Sequence, residues 1–392
     1  MIGFPALKQK KEIFLALDIG TEAIKSLIFT KEKEKNIILG ADLKEYYRLG
    51  IQDGADLDKE VMKEAILEVV SQAKKQAKTE MKECLILWRL PGNILKEKIV
   101  LNSFQRKNPK KIIDQEEEDE IYHKIINQTQ QEVSQGVFQE SGILPKDIHF
   151  IDFKILERKM DGYQINQLTG ISGQNLVFRI LFTFLAKNYL ENVKKITKDL
   201  GLERLKIVSE AENLCLAFSS QKITAVFLDI GGKFTQIVSM KEGKLQTLSG
   251  FEMGGEIFSQ KLSQILGITK IRAEDLKIRY AQRTLSEEVR KRISEILLYD
   301  CRSWFSNLKL KLREISRGEE KILPQTILLF GGGSLLPEIE EILAGEEWDD
   351  LPFLNRPQVK FISPKDLKNI EDRAKIISTI QYIPSLLLCY TP

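Results

Sequence analysis

Apolar and polar positions alternate along the 392 residues in a way that divides the chain into short strands, amphipathic helices and small-residue turns. The sharpest pattern is Ile13–Phe29. An apolar run reaches Asp18, the backbone turns at Ile19-Gly20-Thr21, and a second apolar run leaves from Ile24, which predicts a hairpin. Ala225–Met240 repeats the pattern about 210 residues further on, around Asp229-Ile230-Gly231-Gly232, a separation too long for a solenoid and suited to a duplicated domain. A third turn, Phe330–Ser334, separates the strand-like run Ile327–Phe330 from a helix-like run, Pro337–Leu343.

Between these turns the periodicity predicts further elements. Asn36–Tyr47 adds a strand to the first hairpin, and Asp58–Lys78 places Val61, Ala65, Ile66, Val69, Val70 and Ala73 at helical spacing. Cys84–Leu90 reads as a buried strand stopped by Pro91-Gly92. Leu95–Leu101 is a strand, and Asp114–Phe138 a long charged helix whose acidic start suits the helix dipole. That acidic run reads as a solvated helix start rather than as a metal or partner site. Ile148–Lys159, Tyr163–Leu168 and Leu176–Leu185 are strands, so residues 94–186 form a strand, helix, strand, strand module inserted into a first lobe of 1–93 and 187–220. Helices are expected at Tyr189–Leu200, from Glu210 to Phe218, and over Gly254–Leu266, Arg272–Gln282 and Ser286–Arg317, with strands at Leu205–Val208 and Val359–Ile362. A second lobe then has its core at 221–250 and 324–367 around a helical, adenine-side subdomain at 251–323. Residues 368–392 form a closing helix on the first lobe.

Composition narrows the class without naming a chemistry. Apolar content of 43% and charged content of 29% are those of a globular protein. With 59 basic and 56 acidic residues the net charge is +3, which gives no support to nucleic-acid binding. Cys84, Cys215, Cys301 and Cys389 show no metal or disulfide spacing, which fits a reducing cytoplasm. With only His123 and His149, a histidine metal centre or triad is not expected. The longest apolar stretches are interrupted by charge, as by Arg179, so no membrane span is expected.

The three turns do carry a chemistry. Phosphates need backbone N–H groups aimed at them with no side chain in the way, which glycine permits. Gly20-Thr21 and Gly231-Gly232 offer such turns, with the Thr21 and Thr235 hydroxyls as further donors. Asp18 and Asp229, each ending an incoming strand, could hold Mg²⁺ through waters. Gly232-Lys233 is not a Walker loop, because Phe234 stands where Ser or Thr is required. Each turn alone is weak evidence; the ordered set predicts two turns closing on one nucleotide by a hinge motion.

In that order the motifs resemble the actin/sugar-kinase/heat-shock-70 ATPase superfamily. Asp18–Thr21 is similar to its first phosphate motif, Asp229–Gly232 to its second, Gly331–Ser334 to its adenosine motif and Val208-Ser209-Glu210 to its connecting motif. Within that group the chain is similar to the FtsA family of bacterial division proteins, because of the inserted module, the run Met160–Leu176, and Gly254-Gly255 followed by Ala273–Lys277. The PilM family of type IV pilus assembly is the alternative. The resemblance implies an α/β, actin-like (ribonuclease H-like) duplicated two-lobe ATPase fold binding ATP and Mg²⁺. Asp18, Gly20, Thr21, Lys25, Gly231, Gly232, Thr235 and Gly255 would surround the phosphates, and Glu274 and Lys277 would face the ribose and adenine. Gly331, Gly332 and Gly333 would lie against the base, and Asp18 and Asp229 would organise the metal. Glu210, as the group polarising a water, and Asp229 are the catalytic candidates, with hydrolysis slow or absent.

The resemblance also implies FtsZ or other division proteins as partners, self-association into filaments and a peripheral place at the inner face of the cell membrane. The sequence departs from the pattern at Lys233, where a small residue is usual, and at Ala211, where proline is usual. It stops at Thr391-Pro392, before the amphipathic C-terminal helix that the family uses at membranes. Membrane contact is then expected through a partner or through the apolar and basic residues 1–11.

Overall fold

The computed structural model describes residues 12–46, 60–81, 83–318, 321–373, 375–377 and 379–392. The expected N-terminal anchor at 1–11 and the start of the helix expected from Asp58 lie outside them.

Two sheets carry the fold. The first contains β1 (Ile13–Ile19), β2 (Ala23–Glu32), β3 (Lys35–Glu45), β4 (Leu85–Arg89), β9 (Arg204–Ile207) and β15 (Ile370–Asp372), in the order β15-β3-β2-β1-β4-β9. The second contains β10 (Ala225–Ile230), β11 (Thr235–Lys241), β12 (Lys244–Phe251), β13 (Thr326–Phe330) and β14 (Gln358–Phe361), in the order β12-β11-β10-β13-β14. In each, three strands run as an antiparallel meander, and the first of them pairs in parallel with a strand that returns after a crossover. The repeated DIG turn therefore reflects a repeated topology. Asp18 and Asp229 end equivalent strands, opposite Arg89 in one sheet and Phe330 in the other.

Helices cover the faces that this wiring leaves apolar. In the first lobe, α1 (Glu60–Ala77) buries Met62, Ala65, Ile66, Val69, Val70 and Ala73, whereas Val61, at the edge of the apolar stripe, is exposed. The inserted module is a third sheet of β5 (Lys96–Gln105), β6 (Ile148–Met160), β7 (Tyr163–Gln164) and β8 (Asn175–Ala186), ordered β5-β8-β6-β7 and covered by α2 (Gln115–Ser141). The acidic start of α2 is structural. Asp114 accepts the Glu117 amide at 2.9 Å, Glu117 takes Arg106 at 2.8 Å, and Glu118 takes the Thr169 amide at 3.0 Å. Arg179, which breaks the apolar run of β8, fastens the module to the second lobe by donating to the carbonyls of Leu245 and Gln246 on β12.

α3 (Lys187–Asp199) packs with α1 in the first-lobe core. The connection between lobes is α4 (Glu210–Phe218), capped by Ser209, which accepts the Glu212 amide at 3.0 Å. In the second lobe α5 (Gly255–Leu266), α6 (Lys270–Ala281), α7 (Glu287–Arg317) and α8 (Pro337–Gly345) share one core centred on Trp304. The tail differs from the expected single closing helix. It adds β15 beside β3 and then continues as short turns around α9 (Ile383–Leu387). Leu386 and Leu387 pack with Phe14 and Phe29 of the first sheet and with Phe218 and Phe227, so one apolar core seals the base of the cleft between the lobes.

Candidate functional site

The wiring places the Gly20, Gly231 and Gly331 turns at the same end of their sheets, where they line one cleft between the lobes. That cleft encloses about 1190 Å³ of non-protein space, part of it open to solvent. Gly20, Thr21, Lys25, Asp229, Gly231, Gly232, Gly255, Glu274, Lys277, Gly331, Gly332 and Gly333 all line it. The two phosphate-type turns face each other closely: the Lys233 amide donates to Thr21 Oγ1 at 3.0 Å across the cleft. A side chain at Gly232 would strike Thr21 and Glu22, its Cβ falling 2.4 Å from Thr21 Oγ1. Gly331 adopts φ +85, and a Cβ there would sit 2.2 Å from Asp229 Oδ1. Both positions thus exclude side chains for geometric reasons.

Beside these turns, Lys277 Nζ donates to Glu274 at 2.7 Å and to the Gly255 carbonyl at 2.8 Å, and Glu274 also accepts Ser259 Oγ. Ile278, Ala281, Leu335 and Leu336 give this end of the cleft an apolar wall of the kind a flat heterocycle requires. Sequence reasoning found the Glu–x–x–Lys helix but not this wall. Glu22 reaches the same region from the first lobe. Burial and the neighbouring Glu274 raise its carboxyl to about 7, while Lys277 and Lys270 oppose the shift.

Beneath the phosphate turns lies a charged cluster whose centre the sequence did not reveal. Arg89, buried at the end of β4, donates from Nη1 to Asp18 at 2.8 Å, from Nη2 to Asp229 at 2.5 Å and from Nε to Glu210 at 2.6 Å. The other Asp18 oxygen takes Lys25 at 2.9 Å and Ser385 Oγ at 3.1 Å. Burial alone would raise the Asp18 carboxyl, but Lys25 and Arg89 outweigh it and hold the group at about 2. Burial works against the Arg89 charge too, yet Glu210, Asp18 and Asp229 push its pKa well above the usual value. Two cations meet three carboxylates here. Glu210 is the acid left over, and burial, with Asp229 and Glu97 nearby, pushes its pKa well above the usual carboxylate range.

Three sequence expectations change at this level. Thr235 does not face the cleft: its buried hydroxyl donates to the Met253 carbonyl at 2.6 Å and accepts Trp304 Nε1 at 3.0 Å. Glu210 holds Arg89 and is not part of the cleft lining, so it is not placed as a free base. The space between Asp18 and Asp229, assigned to Mg²⁺, is bridged by the Arg89 guanidinium. Both Asp18 oxygens are engaged, and the unpartnered Asp229 Oδ1 abuts Gly331. No cluster of three or more His, Cys, Asp or Glu side chains suited to a metal occurs among the described residues. These residues, as arranged, do not fit a metal held by the two aspartates. Lys233 Nζ lies 3.8 Å from Glu256.

A duplicated sheet topology, two facing glycine turns and a third turn beside an apolar slot define the class: an actin-like ATPase fold. A solved PilM-PilN type IV pilus biogenesis complex shares it, with a TM-score of 0.67 over 97% of this chain and 99% of that chain at 14% identity. Residues 226–379 match the family described as Cell division protein FtsA. Cell division protein FtsA of Streptococcus pneumoniae serotype 2 is 24% identical over 357 residues, 85% of this chain and 73% of that protein. The Enterococcus hirae protein of the same name is 26% identical over 369 residues, covering 85% and 76%. The chain has an actin-like fold and is similar in sequence to the FtsA division proteins.

Proposed function

We propose that this chain is a nucleotide-operated scaffold of the bacterial division machinery, with ATP as its ligand and slow or absent hydrolysis. The observation that carries the reading is the convergence of three glycine turns and the Glu274–Lys277 pair on one cleft, in a chain similar to FtsA proteins over 85% of its length. The triphosphate would lie against the Gly20 and Gly231 turns and replace the Thr21–Lys233 hydrogen bond, so that the ligand joins the lobes where a direct contact now does. The adenine would enter the slot of Ile278, Ala281, Leu335 and Leu336, with Glu274 and Lys277 at its polar edge. FtsZ and further copies of this chain are the partners, and the protein works peripherally at the membrane. Among the described residues no helix is long and apolar enough to cross a membrane. Arg89 bridges Asp18 and Asp229, the two side chains expected to hold Mg²⁺.

Titration calorimetry with ATP tests the cleft, and sedimentation with FtsZ polymers tests the role. Saturable binding of ATP together with co-pelleting is expected. ATP binding without co-pelleting, together with capture of a short pilus-protein peptide, would move the assignment to pilus assembly.

A further inference from the structure

The cluster under the phosphate turns is built around a cation that belongs to the protein. Parallel pairing sets Arg89 directly beside Asp18, and from there one guanidinium reaches the end of a central strand in each lobe and the first turn of the connecting helix. Its three carboxylate partners come from β1, β10 and α4. Any divalent ion bridging Asp18 and Asp229 has to displace Arg89 from both and leave it buried with Glu210 as its remaining carboxylate partner, two ion pairs poorer, which is costly. Mg²⁺ also demands near-octahedral oxygen geometry, whereas both Asp18 oxygens already accept hydrogen bonds from Lys25, Ser385 and Arg89. Arg89 lines the cleft as well, and a guanidinium has five N–H donors, so it can address a phosphate while holding the acids.

We infer that Arg89 is the resident cation of this nucleotide site, taking the place of a divalent metal, so that the cleft binds ATP without Mg²⁺. The inference rests on the nucleotide reading above and adds the source of the neutralising charge. Arg89 also holds Glu210, which ties up the acid that would otherwise polarise a water.

The test is ATP binding by the full chain, measured by calorimetry in excess EDTA and in excess Mg²⁺, with Mn²⁺ binding followed by electron paramagnetic resonance. For the wild-type chain the affinities in the two media should agree within about threefold, and no Mn²⁺ should be immobilised in the absence of nucleotide. Arg89→Gln should weaken ATP binding in EDTA by about tenfold or more, regain it with Mg²⁺, and bind Mn²⁺ at the bared acids. A wild-type affinity about tenfold higher with Mg²⁺, or Mn²⁺ held by the wild-type chain, overturns the inference and leaves the nucleotide reading standing. No ATP binding in either medium removes the nucleotide reading and this inference with it. The wild-type measurements decide the matter even where Arg89→Gln fails to fold.

Discussion

Glu22 is the group through which pH should act on the cleft. It follows the first glycine turn, and one of its oxygens, Oε1, is buried without a hydrogen-bond partner. Burial, with Glu274 and Glu256 adding like charge against Lys277 and Lys270, lifts its carboxyl from 4.5 to about 7. At about 1.4 kcal/mol per pH unit this is roughly 3 kcal/mol of preference for the protonated form. The folded state then keeps a proton that the unfolded chain gives up. Stability contributed by Glu22 is fully present below pH 4.5, declines as pH rises, and is lost once pH passes about 7. Glu22→Gln fixes the neutral form. Differential scanning fluorimetry at pH 5 and pH 8 should therefore find the variant melting close to wild type at pH 5 and about 3–6 °C higher at pH 8 for a chain of this size. An equal gap at both pH values would refute the claim that ionisation of Glu22 opposes the closed cleft.

Two further expectations follow from burial. Thr235→Val leaves the Met253 carbonyl and the Trp304 indole N–H without their partner, so urea unfolding should show a loss of about 2 kcal/mol with ATP affinity unchanged. A large loss of ATP affinity would return Thr235 to the phosphate site. Burial pushes the Cys84 and Cys215 thiols up to about 12, and those of Cys301 and Cys389 are raised as well. Ellman's reagent at pH 8 should accordingly find no fast thiol in the native protein and all four after denaturation; a rapid native reaction at any of them would contradict the packing.

Much of the fold could be read directly because most of its strands announce themselves locally. The runs ending at Asp18 and Asp229 are continuously apolar, the return turns are small residues, and α1 and α7 keep helical spacing. The strand Lys244–Phe251 is not legible in the sequence, since Lys244, Gln246, Thr247, Ser249 and Gly250 dilute its apolar content; it forms an edge strand, where polar residues are tolerated. The tail reads as one helix because β15 is three residues long and gains its identity from pairing with β3, a contact that no local pattern encodes. At the site, the glycine turns were legible because their chemistry is backbone chemistry. Arg89 was not: in Cys84–Leu90 it is a single charge closing a buried strand, and its role exists only once that strand lies in register beside Asp18. Thr235 misled for the converse reason, because its place after a glycine turn resembles that of a phosphate donor while the alternation of β11 directs it to Trp304.

The duplication itself shows why the cations matter. Asp18 is flanked in its own sheet by Lys25 on β2 and Arg89 on β4, whereas Asp229, in the equivalent position, is flanked by Gln236 and Phe330. Two copies of one topology thus put both positive charges on the first lobe and none beside the second aspartate. Among the described residues Asp229 finds its ion pair by reaching across the cleft to Arg89. A charge buried without a partner is far more costly than an exposed one, so the electrostatics of the second lobe are complete only when the first lies against it. The nucleotide turns directly above are brought face to face by the same contact. Lobe closure in this chain is consequently linked to an arginine that the duplicated half lacks, so that a phosphate bound by Arg89 is coupled to the clasp on Asp229.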